Sequence, residues 1–302
     1  MQNFKVIEPL VYFELFDYPL TAVEAWQYQR QSSNLAEVIN SLTNLKSVEG
    51  YYLITDRPEL VATRKERYLL AEQKLRKRGW VLKILANLPF VRMIAICNSL
   101  AYNNSRAEGD IDLFIITTPG KIWTSRCLAN LFLWLFNLRP KTTQTQDKLC
   151  LSFWVTADNL NLQPATLGEA DIYFQYWLAT LWPIYDAGGY YTSLVRENVW
   201  LKKFLPNWSG KLPPPRRRVN LGAFGYFLKK LGEKLLVANW LEKLIRERSL
   251  EEMPKALTDL ANQDTRVLIN EQMLKLHTKD RRQEYQDKYQ QKLASLYGPQ
   301  NS

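Results

Sequence analysis

Two short apolar runs, residues 91–97 and 111–117, flank a polar loop, and this pairing constrains the chain more than any other feature. Each run is short and β-branched, and the first follows Pro89, so each reads as a strand. The first run closes on Asn98 and Ser99; ten residues separate Ser99 from Asp110-Ile111-Asp112, which opens the second. Residues two apart on a strand share a face, so Asp110 and Asp112 aim two carboxylates at one point while Ile111 enters the core. Two hard oxygen donors suit Mg²⁺, which keeps its other positions for water and nucleotide phosphates. Ser99 begins a short helix after the first strand, where its hydroxyl and the free backbone N–H groups can hold phosphate.

The stretch CNSLAYNNSRAEGDIDLFIIT (residues 97–117) resembles the polymerase-β-like nucleotidyltransferase superfamily. In that pattern a strand ends in Gly-Ser, a loop follows, and Asp-x-Asp opens the next strand. The resemblance implies transfer of a nucleoside monophosphate from an NTP to an acceptor hydroxyl. Asp110 and Asp112 would be the catalytic metal ligands, and Asn98 and Ser99 would contact the nucleotide. The implied cofactor is Mg²⁺, which in a two-ion site steadies both oxygens of an in-line displacement. Two departures stand out. Asn98 occupies the family's glycine position. The strand at 149–155, where the family carries a third carboxylate, has no acid; Cys150 and Ser152 hold the face in question, with Asp147 just before the strand and Asp158 just after it. These departures leave open reduced activity, a base borrowed from elsewhere, or a nucleotide-binding relic.

A looser resemblance covers most of the chain. VYFELFDYPLTAVE, PGKIWTSR, LCLSFWVT and LKLHTKDRR together look like a group of bacterial proteins that join an N-terminal winged helix to this domain and a helical tail. It implies an α+β chain: a winged-helix-like segment at 1–56, a small mixed-sheet nucleotidyltransferase core with a leading helix at 57–160, and a helical C-terminal region at 161–302. The acceptor stays open: a small molecule, a protein or a nucleic acid. The alternative reading is a non-catalytic winged-helix regulator with a degenerate nucleotide-binding domain.

Local signals fit this outline. Thr21 with Glu24, and Asn34 with Glu37, are capping boxes opening helices, the second reaching Leu45. Residues 48–54 read as a hairpin turning at Glu49-Gly50. A long helix from Pro58 towards Leu88 carries Arg64, Lys65, Arg67, Lys74, Arg76, Lys77 and Arg78 on several faces, the pattern of a solvated helix. Residues 121–138 read as a helix, 167–182 and 190–205 as two more. Residues 213–218, PPPRRR, form a stiff basic linker. Beyond it, Leu221, Phe224, Leu228, Leu231, Leu235, Ala238, Leu241 and Ile245 make one apolar stripe on a long helix. Tyr285, Tyr289, Leu293 and Leu296 mark the face of a last helix ending before Gly298.

Charge and composition narrow the function. The formal charge is +10, with 18 Lys or Arg against 11 Asp or Glu from Lys211 onward, a balance suited to polyanionic partners or simply a solvated basic surface. His277 is the only histidine, which excludes any site built on several histidines and reads as a structural contact or cap. Cys97, Cys127 and Cys150 lie in apolar runs without metal-like spacing and read as reduced thiols. The opening residues lack a signal-peptide pattern, and the apolar run 127–136 falls far short of the roughly 20 residues that span a bilayer. A cytoplasmic protein without a membrane span is expected. DNA binding has weak support, because the candidate recognition helix at 34–45 is poor in cations. Lys121 and Arg126 follow the Asp-x-Asp strand and are candidates to reach a triphosphate.

Overall fold

A computed structural model of the chain describes residues 4–141 and 143–297. A single 3₁₀ turn, Phe4–Ile7, leads into α1 (Glu8–Glu14), β1 (Leu20–Thr21), α2 (Ala22–Gln27), α3 (Leu35–Leu42), β2 (Lys46–Val48) and β3 (Tyr51–Leu53). Both capping boxes form. Thr21 Oγ1 accepts from the Glu24 amide at 3.3 Å and Glu24 Oε2 accepts from the Thr21 amide at 2.9 Å. Asn34 and Glu37 exchange the same pair of bonds at 2.9 and 3.0 Å. Glu49 and Gly50 both take positive φ, 53° and 79°, as a tight hairpin turn requires. The three strands form a sheet in the order β1-β3-β2.

The long helix α4 (Glu59–Asn87) starts directly after Pro58. There follow β4 (Val91–Ile96), the one-turn α5 (Asn98–Ala101), β5 (Ile111–Thr117), α6 (Ile122–Leu135) and β6 (Leu149–Thr156), all close to the expected positions. The remainder is α7 (Ile172–Thr180), β7 (Trp182–Asp186), α8 (Tyr190–Glu197), α9 (Gly222–Leu235), α10 (Asn239–Glu251), α11 (Lys255–Thr258), β8 (Val267–Ile269), β9 (Met273–Leu276) and α12 (Arg282–Tyr297). A mixed six-stranded sheet runs β7-β4-β5-β6-β9-β8, with β5 and β6 its parallel pair. The chain is thus a mixed α+β protein. No helix among the described residues is long and apolar enough to cross a membrane.

Three expectations for the second half need correction. The helix expected at 167–182 is shorter, because Pro183 pushes Trp182 out of the helical region and into β7. β7 lies at the sheet edge, where a proline without an N–H is tolerated. The single helix expected from 221 to 245 is two, α9 and α10, broken between Leu235 and Asn239. The region beyond residue 160 is not wholly helical: β7, β8 and β9 supply half of the large sheet. Gly298, expected to stop the last helix, lies outside the described residues.

The strands of this sheet separate two cores. Ile111, Leu113 and Ile115 of β5 pack with α4 and α6, whereas Phe114 and Ile116 join the core that holds Tyr12 and Phe13 of α1 and Trp177 of α7. That second core is rich in aromatic pairs, among them Tyr12 stacked on Tyr176 at 4.2 Å and Phe153 on Trp177 at 5.2 Å. Each such ring buried contributes roughly 1.5–3 kcal/mol. The alternation in β5 fixes where the carboxylates point: Asp112 shares the side of Phe114, towards α1 and α7.

Candidate functional site

Ile111 is fully buried, and the carboxylates on either side of it turn the other way. Oxygens of Asp110 and Asp112 and the sulfur of Cys150 all lie within 4.8 Å of one another, a cluster of potential metal-holding groups among the described residues. β5 opens the site because its amide at Ile111 donates to Lys148 O at 2.8 Å, and Cys97 N donates to Asp112 O at 3.1 Å. At the first position of α5, Asn98 has φ +56°, the left-handed conformation that glycine takes without strain. Asparagine is one of the few other residues found there. The sequence departure at Asn98 therefore leaves the turn in a glycine-like geometry. Ser99, next along, is exposed, and its carbonyl accepts from the Asn104 amide at 2.8 Å.

The loop leading to Asp110 is fixed from beneath by α4. Lys74 is buried and donates to Ala107 O at 2.8 Å, Gly109 O at 2.6 Å and Asp147 Oδ1 at 3.0 Å. Lys77 and Arg78 also bind Asp147, at 2.6 Å to its carboxylate and 2.7 Å to its carbonyl. Arg67 reaches Asn104 at 2.9 Å and Phe16 O at 3.0 Å, and Arg64 pairs with Glu24 at 2.7 Å. Arg64, Arg67, Lys74 and Arg78 of α4 are thus internal braces, while Lys65, Arg76 and Lys77 remain on the solvated face that their spacing suggested. Asp147 is consumed by this clamp, and exposed Asp158 meets Gln272 at 3.4 Å beyond the other end of β6. Neither joins Asp110 and Asp112.

Burial is the main electrostatic influence on the site. It raises the Asp112 carboxyl to about 7, Asp110 adds to the rise, and hydrogen bonding from Asn98 and Cys150 opposes it. Asp110 is also raised by burial, with the Lys74 ammonium pulling the other way. The Cys150 thiol, half-buried and facing both carboxylates, is pushed up to about 12 chiefly by desolvation and stays protonated. Farther along the same face, Ser152 Oγ lies 3.2 Å from His277 Nε2 on the far end of β9. Burial first, and then nearby Lys275, lowers His277 to about 4, so the ring is neutral.

A cleft of about 490 Å³ has Asn98, Ser99 and Gly109 in its wall; the two carboxylates follow Gly109 in the chain and are not themselves in its lining. Tyr173 and Tyr285 stack at its edge, 5.3 Å apart, with the Arg281 guanidinium 5.0 Å from the Tyr285 ring. Arg106, Arg281 and Lys288 line it, the last two both paired with Glu284 at 2.7 Å. Sequence reasoning missed the contribution of α7 and α12; the one signal it had was that Tyr285 and Tyr289 share a face of the last helix. Other candidates lie elsewhere. Lys121 donates to Val237 O at 2.7 Å at the α9–α10 junction, and Arg126 is enclosed beside Arg139. The basic linker is docked, with Arg216 2.9 Å from Glu72 and Arg217 stacked 4.2 Å from the Trp182 ring. No protein-family model, curated protein or solved structure matches this chain.

Proposed function

We propose that this chain is a Mg²⁺-dependent nucleotidyltransferase that moves a nucleoside monophosphate from an NTP to an acceptor hydroxyl. The observation that carries the reading is the pair of carboxylates, Asp110 and Asp112, set beside the left-handed Asn98–Ser99 turn at the wall of an aromatic, basic cleft. The order of strands supports it: β4 runs into the Ser99 turn, β5 opens on Asp-x-Asp, and β6 lies parallel beside β5. The first 56 residues are read as a winged helix on the order α1, β1, α2, α3, β2, β3.

The donor set fits one Mg²⁺. Asp110 and Asp112 would hold it; Cys150, protonated and soft, is a poor ligand for so hard an ion. When bound, the ion neutralises phosphate charge. The protein's own contribution is positioning and electrostatics. Ser99 offers a hydroxyl to a phosphate oxygen, Arg106, Arg281 and Lys288 attract the polyphosphate, and the Tyr173–Tyr285 pair offers a stacking face to a base. The test is Mg²⁺-dependent turnover of each of the four NTPs with candidate acceptors. Labelling that persists unchanged in Asp110→Asn and Asp112→Asn removes this site from the reaction.

One observation favours a second reading, a regulator that binds nucleotide without turning it over. Cys150 occupies the position on β6 where a third carboxylate belongs. Saturable NTP binding with no turnover for any acceptor selects this reading. Its DNA-binding part has little support, because α3 exposes Glu37, Ile39 and Asn40 and no cation.

A further inference from the structure

The apolar stripe of α9 faces outward. Phe224, Phe227, Leu228, Leu231 and Leu235 recur at three- and four-residue steps, and all are exposed, Phe224 by 74 % and Leu235 by 71 %. The helix instead meets the body through small residues and one lysine. A Cβ on Gly232 would come within 2.6 Å of the Pro89 ring, and Gly225 lies equally tight against the Asn87 side chain. Between them, buried Lys229 donates to Ala86 O at 2.8 Å and Leu88 O at 2.7 Å. Two glycines and a lysine that fit only one orientation specify that the apolar side points away.

The neighbouring helices carry further exposed apolar residues. α9 packs on α4, and α10 packs on α6. Trp240 of α10 is 68 % exposed and Trp134 of α6 69 %, with Leu135 and Phe136 beside the latter. The α9 stripe itself forms an exposed apolar row of the kind that marks an interaction site. The single acid of α9, Glu233, is turned inward, and so is Glu242 of α10, while Glu247, Glu251 and Glu252 farther along α10 are exposed. Glu233 accepts from Phe90 N at 3.2 Å and pairs with Arg92 at 2.5 Å, while Glu242 caps α6 through the amides of Trp123 and Thr124 at 2.8 and 2.9 Å. Lys83, Lys234 and Lys243 are exposed, and among the described residues none lies within ion-pair distance of a carboxylate.

We propose that this face docks on an anionic lipid bilayer surface, with the α9 stripe and Trp240 entering the headgroup boundary and the lysines meeting lipid phosphates. Charge selects this occupant. A second copy would oppose lysine to lysine on a chain of net charge +10, whereas anionic headgroups neutralise them. A row of Phe, Leu and Trp flanked by lysines is the composition that settles in a membrane interface without spanning it. The proposal does not depend on the nucleotide reading.

The test is co-sedimentation of the full chain with vesicles of phosphatidylcholine alone and of phosphatidylcholine mixed with phosphatidylglycerol. Binding to the mixed vesicles, weakened by salt, is expected. The double variant Phe224→Ser/Phe227→Ser should lose about thirty-fold in affinity or more, and Lys234→Gln/Lys243→Gln about tenfold with a flatter salt dependence. These side chains are exposed, so melting temperatures should match wild type, and Leu69→Ser, an exposed substitution on α4 outside the patch, should bind as wild type. Failure of the wild type to bind mixed vesicles overturns the proposal. So does unchanged binding by the phenylalanine variant, or a concentration-dependent dimer that this variant abolishes, which would assign the face to a second copy.

Discussion

Cys150 stands directly opposite Asp112 in the parallel pairing of β5 and β6, with its sulfur within 4.8 Å of a carboxylate oxygen of Asp112. The thiol stays protonated beside two carboxyl groups, so it adds a weak hydrogen-bond donor where another acid would add charge. Asp112 thereby keeps a buried position with only Asp110 as a like-charged neighbour.

The raised Asp112 carboxyl has a consequence for stability. Its folded value, about 7, lies above the roughly 3.9 of an unfolded chain, so within that window the folded protein holds a proton that the unfolded chain releases. This contribution is greatest on the acid side and is lost as pH rises through about 7. His277, lowered to about 4, acts in the opposite sense. The clean measurement is the difference in melting temperature between wild type and Asp112→Asn, which cancels His277. That difference should move against the wild type by several degrees between about pH 4 and pH 7 without divalent ions. Mg²⁺ should then raise the melting temperature of wild type and not of the variant. A difference independent of pH refutes the assignment.

Asn98 carries strain that only a few residues absorb. Alanine in the left-handed region costs roughly 1–2 kcal/mol, so Asn98→Ala should destabilise by about that amount in urea unfolding. Asn98→Gly keeps the backbone and gives up only the side-chain contact with Asp112, and should be about 1 kcal/mol more stable than the alanine variant. Equal stabilities for the two would show that the turn is not held left-handed in solution.

Lys74 is the brace under Asp110. Removing it leaves Ala107 O without a donor, Gly109 O with only the Asp147 amide, and Asp147 with a weaker clamp. Lys74→Met should cost about 3 kcal/mol, and any nucleotide turnover should fall with it. The double variant Lys74→Met/Asp147→Asn should recover part of the loss, because it removes the stranded charge. A double variant whose loss equals the sum of the two single losses would show that the pair is not coupled.

How much of this was legible beforehand follows from the range of each interaction. The capping boxes, the Glu49–Gly50 turn and strands β5 and β6 are set by neighbours in sequence, and the structure has them where the residues imply. The two carboxylates on one side of β5 were readable for the same reason. What lay hidden is tertiary. A three-residue β8 and a four-residue β9 have no period distinct from a helix turn. The α9 stripe has the spacing of a core face, and only the Gly225 and Gly232 contacts reveal that it points outward. The cleft draws on α1, α7 and α12, far apart in sequence, so no local pattern announced it.

The register between Asp112 and Cys150 allows a direct experiment on the missing acid. Cys150→Asp would put a third carboxylate beside Asp110 and Asp112, and three acids at that spacing repel strongly in a buried site. The metal-free variant should therefore be less stable than wild type near neutral pH, and should gain more from Mg²⁺ than wild type does. Cys150→Ser, a neutral donor of similar size, separates charge from packing and should behave like wild type in Mg²⁺ response. If the site performs nucleotidyl transfer with reduced activity, the added acid should raise NTP turnover by about tenfold or more, since it supplies the base and ligand that β6 lacks. Melting curves across a Mg²⁺ titration and NTP turnover read the two effects independently. A Cys150→Asp protein with the Mg²⁺ response of Cys150→Ser would mean that the three side chains do not converge on one ion, and the metal-site reading would fall with that result.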